Sequence, residues 1–233
     1  MKKTVWLAPA FYSVLQVLFY PLAAAENKAE PESANPSLKT RWADDVSCDA
    51  VPWPEYPRPL LERRTSWVNL NGLWDYAIVD KDAPRPRRWD GRILVPFCVE
   101  SQLSGAGKSL QPDQKLWYRR SFERPVLKNK DRLMLRFEAV DWQTTVWVNG
   151  QEAGSHKGGY DPFSFDITDF LTDTDKQEIV VSVWDPTNTG TQPRGKQRLD
   201  PGGIFYTPVS GIWQTVWLEQ TPASHITQVY TEP

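Results

Sequence analysis

The chain has 233 residues, 40% of them hydrophobic, with 27 Lys+Arg against 29 Asp+Glu and a net charge of −2. That length holds one large domain or two small ones, and the balanced charge excludes the basic surface that nucleic-acid binding requires. Twelve Trp, 20 Pro and 13 Gly beside only 2 His suit short strands and turns rather than helix bundles, and leave little material for a His-built metal site or triad.

The elements follow in chain order. Lys2 and Lys3, the apolar stretch from Val5 to Leu22 and the Ala23-Ala24-Ala25 triplet before Glu26 have the three parts of a secretory signal peptide. A membrane anchor competes, because the stretch is long. Ser13, Gln16 and Pro21 interrupt it, so a signal cleaved after residue 25 is expected, with a periplasmic or extracellular product free of the membrane. Residues 26–58 read as a Pro-rich arm or linker: six prolines fall between Pro31 and Pro59, with no sustained apolar period.

Beyond that arm the pattern changes to short apolar runs between turns. The runs are Ser66–Val79, Arg92–Val95, Lys115–Phe122, Arg132–Val140, Thr144–Val148, Phe163–Ile167, Glu178–Trp184 and Ile212–Glu219. Leu133, Leu135 and Phe137 alternate with Arg132, Arg136 and Glu138, the period of a half-buried strand. Ile179, Val181 and Val183 share a face opposite Ser182, and Asn149-Gly150 marks a hairpin. No run reads as a helix of ten residues or more. An all-β, two-sheet sandwich or jelly roll over residues 59–222 is expected.

Common catalytic signatures are missing from the sequence. Gly107-Lys108-Ser109 has Gln102 where a P-loop needs glycine. There is no G-x-S-x-G elbow and no Cys/His cluster with zinc spacing. Of the two histidines, His156 and His225, the first follows the hairpin and is expected on the surface. Asp161, Asp166 and Asp169 admit a calcium reading, but turn capping by their short side chains is the stronger one. No metal or cofactor is expected on these residues.

Trp67, Trp74, Trp147, Trp184, Trp213 and Trp217 lie in strand-like runs and are expected in the core, whereas Trp89, Trp117 and Trp142 border turns and are the surface candidates. Cys48 and Cys98 stand 50 residues apart, a spacing that neither demands nor forbids a bridge. The polar stretch Asp185–Pro208 separates two firm strands by more than twenty residues. Loops of that length are usually functional, and this one is expected to reach a ligand.

Several of these runs have a familiar form. Trp67-Val68-Asn69-Leu70-Asn71-Gly72-Leu73-Trp74, Val95-Pro96-Phe97 with Glu100-Ser101, Trp117-Tyr118-Arg119-Arg120, Val140-Asp141-Trp142 and Val148-Asn149-Gly150 occur in that order. Gly158-Gly159-Tyr160-Asp161-Pro162-Phe163-Ser164-Phe165-Asp166-Ile167-Thr168 and Ser210-Gly211-Ile212-Trp213-Gln214-Thr215-Val216-Trp217-Leu218-Glu219 complete the set. Together they resemble the N-terminal sugar-binding domain of glycoside hydrolase family 2, which includes β-galactosidases, β-glucuronidases and β-mannosidases.

The resemblance implies a galactose-binding-like jelly roll, followed in the family by an immunoglobulin-like domain and a TIM barrel with two catalytic glutamates. A barrel takes roughly 250 residues, so neither glutamate is expected in this chain, which is read as inactive alone. Residues 223–233 resemble the start of the immunoglobulin-like domain. By the same resemblance the Arg194-Gly195-Lys196-Gln197 turn, with Tyr206 and with Glu100 in a second loop, is implied to help shape the pocket for a β-glycoside. The galactosidase branch carries an Asp before the closing Ser-Gly-Ile strand. Here Phe205-Tyr206-Thr207 stands there instead, so that sodium- and sugar-contacting role does not carry over. Partners are thus a carbohydrate and the enzyme's other domains. A free-standing lectin-like module, binding polysaccharide through Trp89, Trp117 or Trp142, is the alternative.

Overall fold

A computed structural model describes residues 39–57, 66–128 and 130–232. The expected signal peptide, residues 26–38 of the arm and residues 58–65 lie outside them. Twelve strands make up the described fold: β1 Trp67–Asn69, β2 Gly72–Asp80, β3 Gly91–Val95, β4 Gln114–Glu123, β5 Arg132–Phe137 and β6 Val140–Asp141. They continue with β7 Gln143–Val148, β8 Gln151–Lys157, β9 Phe163–Asp166, β10 Lys176–Trp184, β11 Gly211–Ile212 and β12 Val216–Thr221. Only short 3-10 turns, such as Gln102–Ser104 and Thr168–Phe170, interrupt the β-structure among the described residues.

Two antiparallel sheets carry the fold, one ordered β1-β12-β5-β9 and the other β3-β2-β4-β10-β7-β8. The expected all-β sandwich is observed. Alternation explains the pairing: Leu133, Leu135 and Phe137 of β5 are buried, as are Ile179, Val181 and Val183 of β10, and the two sets join one cluster with Val216, Leu218, Trp74 and Tyr118. Sealing such a set from water is the main favourable contribution to folding. Asn149 and Gly150 take φ of 49° and 82°, the left-handed pair that a two-residue hairpin needs.

Three differences from the sequence reading have physical causes. The run Ser66–Val79 is two strands, not one, because the chain crosses between sheets at Leu70-Asn71. Buried Asn71 holds that corner: its Nδ2 donates to Pro52 O at 3.0 Å, and its Oδ1 accepts from Val216 N at 3.1 Å. Strand β8 carries too many polar residues to announce itself, and it lies at the sheet edge. Trp117, expected on the surface, is 5% exposed; it stacks on Trp147 across β10 with ring centroids 5.4 Å apart.

The other tryptophans divide more finely than core or surface. Trp74 and Trp217 are buried, and Trp67, Trp147, Trp184 and Trp213 are half-buried. Trp89 and Trp142 are half-buried too, with Arg119 and Lys157 over their rings at 4.8 and 5.9 Å. Residues 52–57 of the arm lie against the smaller sheet, where Trp53 O accepts from Asn69 Nδ2 at 2.8 Å and Tyr56 packs edge-on against Trp67. Residues 222–232 form no strand.

Candidate functional site

Four stretches of chain converge around Gln197 and Ser210. They are the loop after β3, the short β6, residues 158–161 after β8, and the long connection between β10 and β11. The short sheet that pairs Gly211 with Asp141 and Ile212 with Val140 pins the end of that connection. Gly211, at φ 86°, is indispensable there, since a β-carbon would lie 2.0 Å from Tyr118 Oη. Only a residue without a side chain tolerates both demands. Tyr118 Oη can then accept from Ile212 N at 3.1 Å.

The long loop is built, not loose. Asp185 accepts from Thr187 N at 2.7 Å, Gln192 Nε2 donates to Thr187 O at 2.6 Å, and Asn188 Oδ1 accepts from Leu199 N at 2.9 Å. Its tip folds back on itself, with Tyr206 N donating to Lys196 O and Arg198 N to Tyr206 O, both at 2.9 Å. Buried Gln197 fastens the tip: its Oε1 accepts from Val209 N at 2.6 Å, and its Nε2 donates to Asp141 Oδ2 at 3.2 Å and to Tyr160 Oη at 3.4 Å. Lys196 and Arg198 remain exposed, as does Tyr206 at 62%. Lys196 Nζ lies 6.0 Å from the Tyr206 ring, and the Arg198 guanidinium lies over Phe205 at 3.7 Å. Arg194 is half-buried and donates to Gly190 O at 3.2 Å.

Glu100 comes to the same place from below. Its Oε2 accepts from Ser210 N at 2.9 Å, while Ser210 Oγ donates to Asp185 Oδ2 at 2.8 Å. Glu100 Oε1 is buried without a hydrogen-bond partner. Burial, against the hydrogen bonds from Ser210, pushes the Glu100 carboxyl up to about 7. Burial first, then the neighbouring Asp185, pushes Asp141 up to about 7 as well, and burial raises Asp185. Among the described residues no ion pair reaches any of the three. Cys98, also pushed up, to about 12, chiefly by burial, is a thiol of low reactivity. Cys48 and Cys98 are not bridged.

The five residues expected at the site therefore separate by depth. Lys196 and Tyr206 face solvent, Gln197 and Glu100 hold the loop from inside, and Arg194 is tied to the loop's own backbone. Asp141, Asp185 and Ser210 were missed as site residues. Each had a local signal, Asp141 and Ser210 in two of the motif blocks and Asp185 at the head of the long loop, but nothing local joins them. His156, expected on the surface, is half-buried because alternation along β8 turns it inward. It stacks on Phe163 with centroids 4.2 Å apart, and Nε2 has no hydrogen-bond partner. Asp166 and Asp169 pair with Arg132 at 2.6 Å each. Asp166 also accepts from Thr168 N at 3.1 Å, as the turn-capping reading has it. No group of three potential ligands among the described residues could hold a metal ion.

Known proteins share this architecture. The family described as glycosyl hydrolases family 2, sugar binding domain, matches residues 96–222. A Formosa agariphila protein carrying a provisional β-glucuronidase name is 34% identical over 77% of this chain and 21% of its own length. A Paenibacillus borealis β-glucuronidase is 27% identical over 60% of this chain and 24% of its own. The Thermoanaerobacter pseudethanolicus β-galactosidase is 32% identical over 49% and 15% respectively. The chain thus spans less than a quarter of these relatives. The solved structure of Faecalibacterium prausnitzii β-glucuronidase, 24% identical, superposes with a TM-score of 0.52 over 72% of this chain and 33% of that one, a likeness of fold. With a family match over more than half its length, the chain belongs to glycosyl hydrolases family 2, through the sugar-binding domain.

Proposed function

We propose that this chain forms one wall of the β-glycoside pocket of a secreted family 2 glycoside hydrolase and does not itself catalyse hydrolysis. The observation that carries this reading is the fixed tip of the long loop, where Gln197 hydrogen bonds hold Lys196 and Tyr206 at the surface. An exposed aromatic face beside a cationic donor suits a sugar ring and its hydroxyl or carboxylate groups. Arg194 supports the turn that carries Lys196, and Glu100 supports the strand behind it. The acid and the nucleophile of hydrolysis require two suitably spaced carboxyl groups flanking the scissile bond, and these are assigned to the barrel of the whole enzyme.

Saturation-transfer NMR of the 233-residue chain with methyl β-D-glucuronide and methyl β-D-galactoside tests the reading. Signal for at least one sugar, lost in Lys196→Ala and Tyr206→Ala, is expected, with no release of p-nitrophenol from the corresponding aryl glycosides. Turnover by the chain, or sugar signals that both variants keep, would overturn it.

A free-standing binding module has one observation in its favour. A cavity of about 310 Å³ on the outer face of the smaller sheet is lined by Arg136, Glu138, Phe163 and Trp217, of a size and mixed polarity that suit a monosaccharide. Sugar signals that survive Tyr206→Ala but vanish in Glu138→Ala would favour this second reading.

A further inference from the structure

Three carboxyl groups lie beneath the long loop with no ion pair among the described residues. Glu100 comes from the loop after β3, Asp141 from β6 and Asp185 from the end of β10, so no two share an element. The loop is attached to each of them. Gln197 Nε2 reaches Asp141, Ser210 N reaches Glu100, and Ser210 Oγ reaches Asp185. Gln197 Oε1 and the Glu100 carboxylate take the amides of the successive residues Val209 and Ser210. These contacts fix where Lys196 and Tyr206 stand.

Among the described residues no ion pair brings a compensating positive charge. The other titratable groups at the clasp are Cys98 and Tyr118, whose own ionisation burial and Glu100 oppose, and Tyr160, which accepts from Gln197. Tyr118 comes from β4, Cys98 from the loop after β3 and Tyr160 from the segment after β8. Gly159 closes the last side, and a β-carbon there would lie 2.7 Å from Asp141 Oδ1. Three carboxyl groups buried in this way, with Asp185 bearing on both Glu100 and Asp141, cannot all ionise at little cost. One oxygen of the group, Glu100 Oε1, is buried with no partner. Protonation is the means of relief available inside the protein.

We infer that Glu100, Asp141 and Asp185 are positioning residues that clasp the sugar-facing loop only while the group retains protons. As pH rises and the protons leave, the cost of keeping buried charge out of water, with the repulsion of Asp185 on Glu100 and Asp141 added to it, loosens the loop, and the rest of the sandwich stays folded. The elevated proton affinities of Glu100 and Asp141 place this transition near pH 7. The inference concerns the loop's position and holds whichever sugar the loop meets.

Hydrogen exchange of the full chain, corrected for the intrinsic rate, tests it without any sugar present. Its failure is therefore distinguishable from failure of the sugar-binding reading. Protection of the Val209 and Ser210 amides is expected to fall by about tenfold or more between pH 5.5 and pH 8.5, while amides of β10 and β12 keep theirs. Glu100→Gln and Asp141→Asn imitate the protonated groups and are expected to retain protection at pH 8.5; Glu100→Ala is expected to lose it at both. Protection independent of pH in the native chain would overturn the inference, as would a loss shared equally by β10. An unchanged pH dependence in both amide variants would also overturn it. A merely structural Glu100 would show no rescue by glutamine at high pH.

Discussion

Two groups of acidic side chains in this molecule have opposite electrostatic surroundings. At the end of β9, Asp166 and Asp169 share Arg132, half in water, and hydrogen bonds from Arg132 and Thr168 outweigh burial to hold the Asp166 carboxyl below its ordinary range. Beneath the long loop, Glu100, Asp141 and Asp185 have no ion pair among the described residues, and burial holds all three above theirs. The first group stabilises a turn as carboxylates. The second is compatible with the fold when partly protonated. Residue type alone does not decide what an aspartate does; its partner and its access to water do.

The largest effects should come from filling the space on which the second group depends. In Gly211→Ala the new methyl would meet Tyr118 Oη at 2.0 Å and Leu116 Cδ2 at 2.9 Å, at a φ of 86° that alanine resists. A loss of about 3 kcal/mol or more is expected in urea unfolding. Gly159→Ala would displace Asp141 by contact alone, without a positive φ, and should cost less, about 1–2 kcal/mol. If Gly159→Ala proves as damaging as Gly211→Ala, Asp141 is held more rigidly than a clasp allows.

The pH dependence of stability sharpens the contrast, because the two groups act with opposite sign. Glu100 and Asp141 bind protons more tightly folded than unfolded, so their stabilisation is complete below about pH 4 and is lost as pH rises to about 7. Local opening of the loop limits that loss to about 2 kcal/mol. Asp166, with its folded value lowered from 3.8, contributes above pH 4 and loses its contribution as pH falls below that. Thermal unfolding between pH 3 and 9 should therefore show stability falling from pH 5 to 7. Glu100→Gln should flatten this upper limb and leave the acid limb unchanged. A flat upper limb in the native chain would mean that the carboxylates beneath the loop carry no excess protons.

Asp166→Ala should break the first group at a smaller cost. The ion pair is one-third exposed on both sides and contributes little after screening. Most of the loss comes from the cap, in which Asp166 accepts from Thr168 N and, at 2.6 Å, from Thr168 Oγ1. About 1 kcal/mol is expected in urea unfolding at pH 7, shrinking toward zero at pH 2.

This contrast also divides what the sequence made legible from what it hid. The cap could be read locally, since Asp166 and Thr168 are two residues apart and the turn chemistry is short-range. So could β5 and β10, whose alternation is a property of successive residues, and the Asn149-Gly150 hairpin. The clasp could not. Glu100 and Ser210 are 110 residues apart and Gln197 and Asp141 are 56 apart, and these contacts exist only once β6 and β11 have paired. The placement of Trp117 failed for the same reason: nearness to a turn in sequence says nothing of Trp147, which reaches it across an intervening strand. Lys196 and Tyr206 were named from the resemblance to the family's pocket loop, and what the structure adds is that both are exposed at the loop tip.

The smallest expected effect on stability isolates binding from folding. Lys196 is exposed, its ammonium group lies 6.0 Å from the Tyr206 ring, and the loop is held by its backbone and by Gln197 beside it, not by the Lys196 side chain. Lys196→Ala should therefore change unfolding free energy by less than about 0.5 kcal/mol, while removing the sugar signal that the proposed function assigns to Lys196. Gln197→Ala should do the reverse in proportion, leaving half-buried Val209 N and buried Asp141 Oδ2 without their partner, at a cost of about 2 kcal/mol. The sugar signal should then fall because the loop moves. The two variants are told apart by the amide of Val209, whose protection from exchange survives the first substitution and is lost in the second. If Lys196→Ala also lost that protection, the side chain at the surface would be holding the loop, and the division between an inner clasp and an outer face would fail.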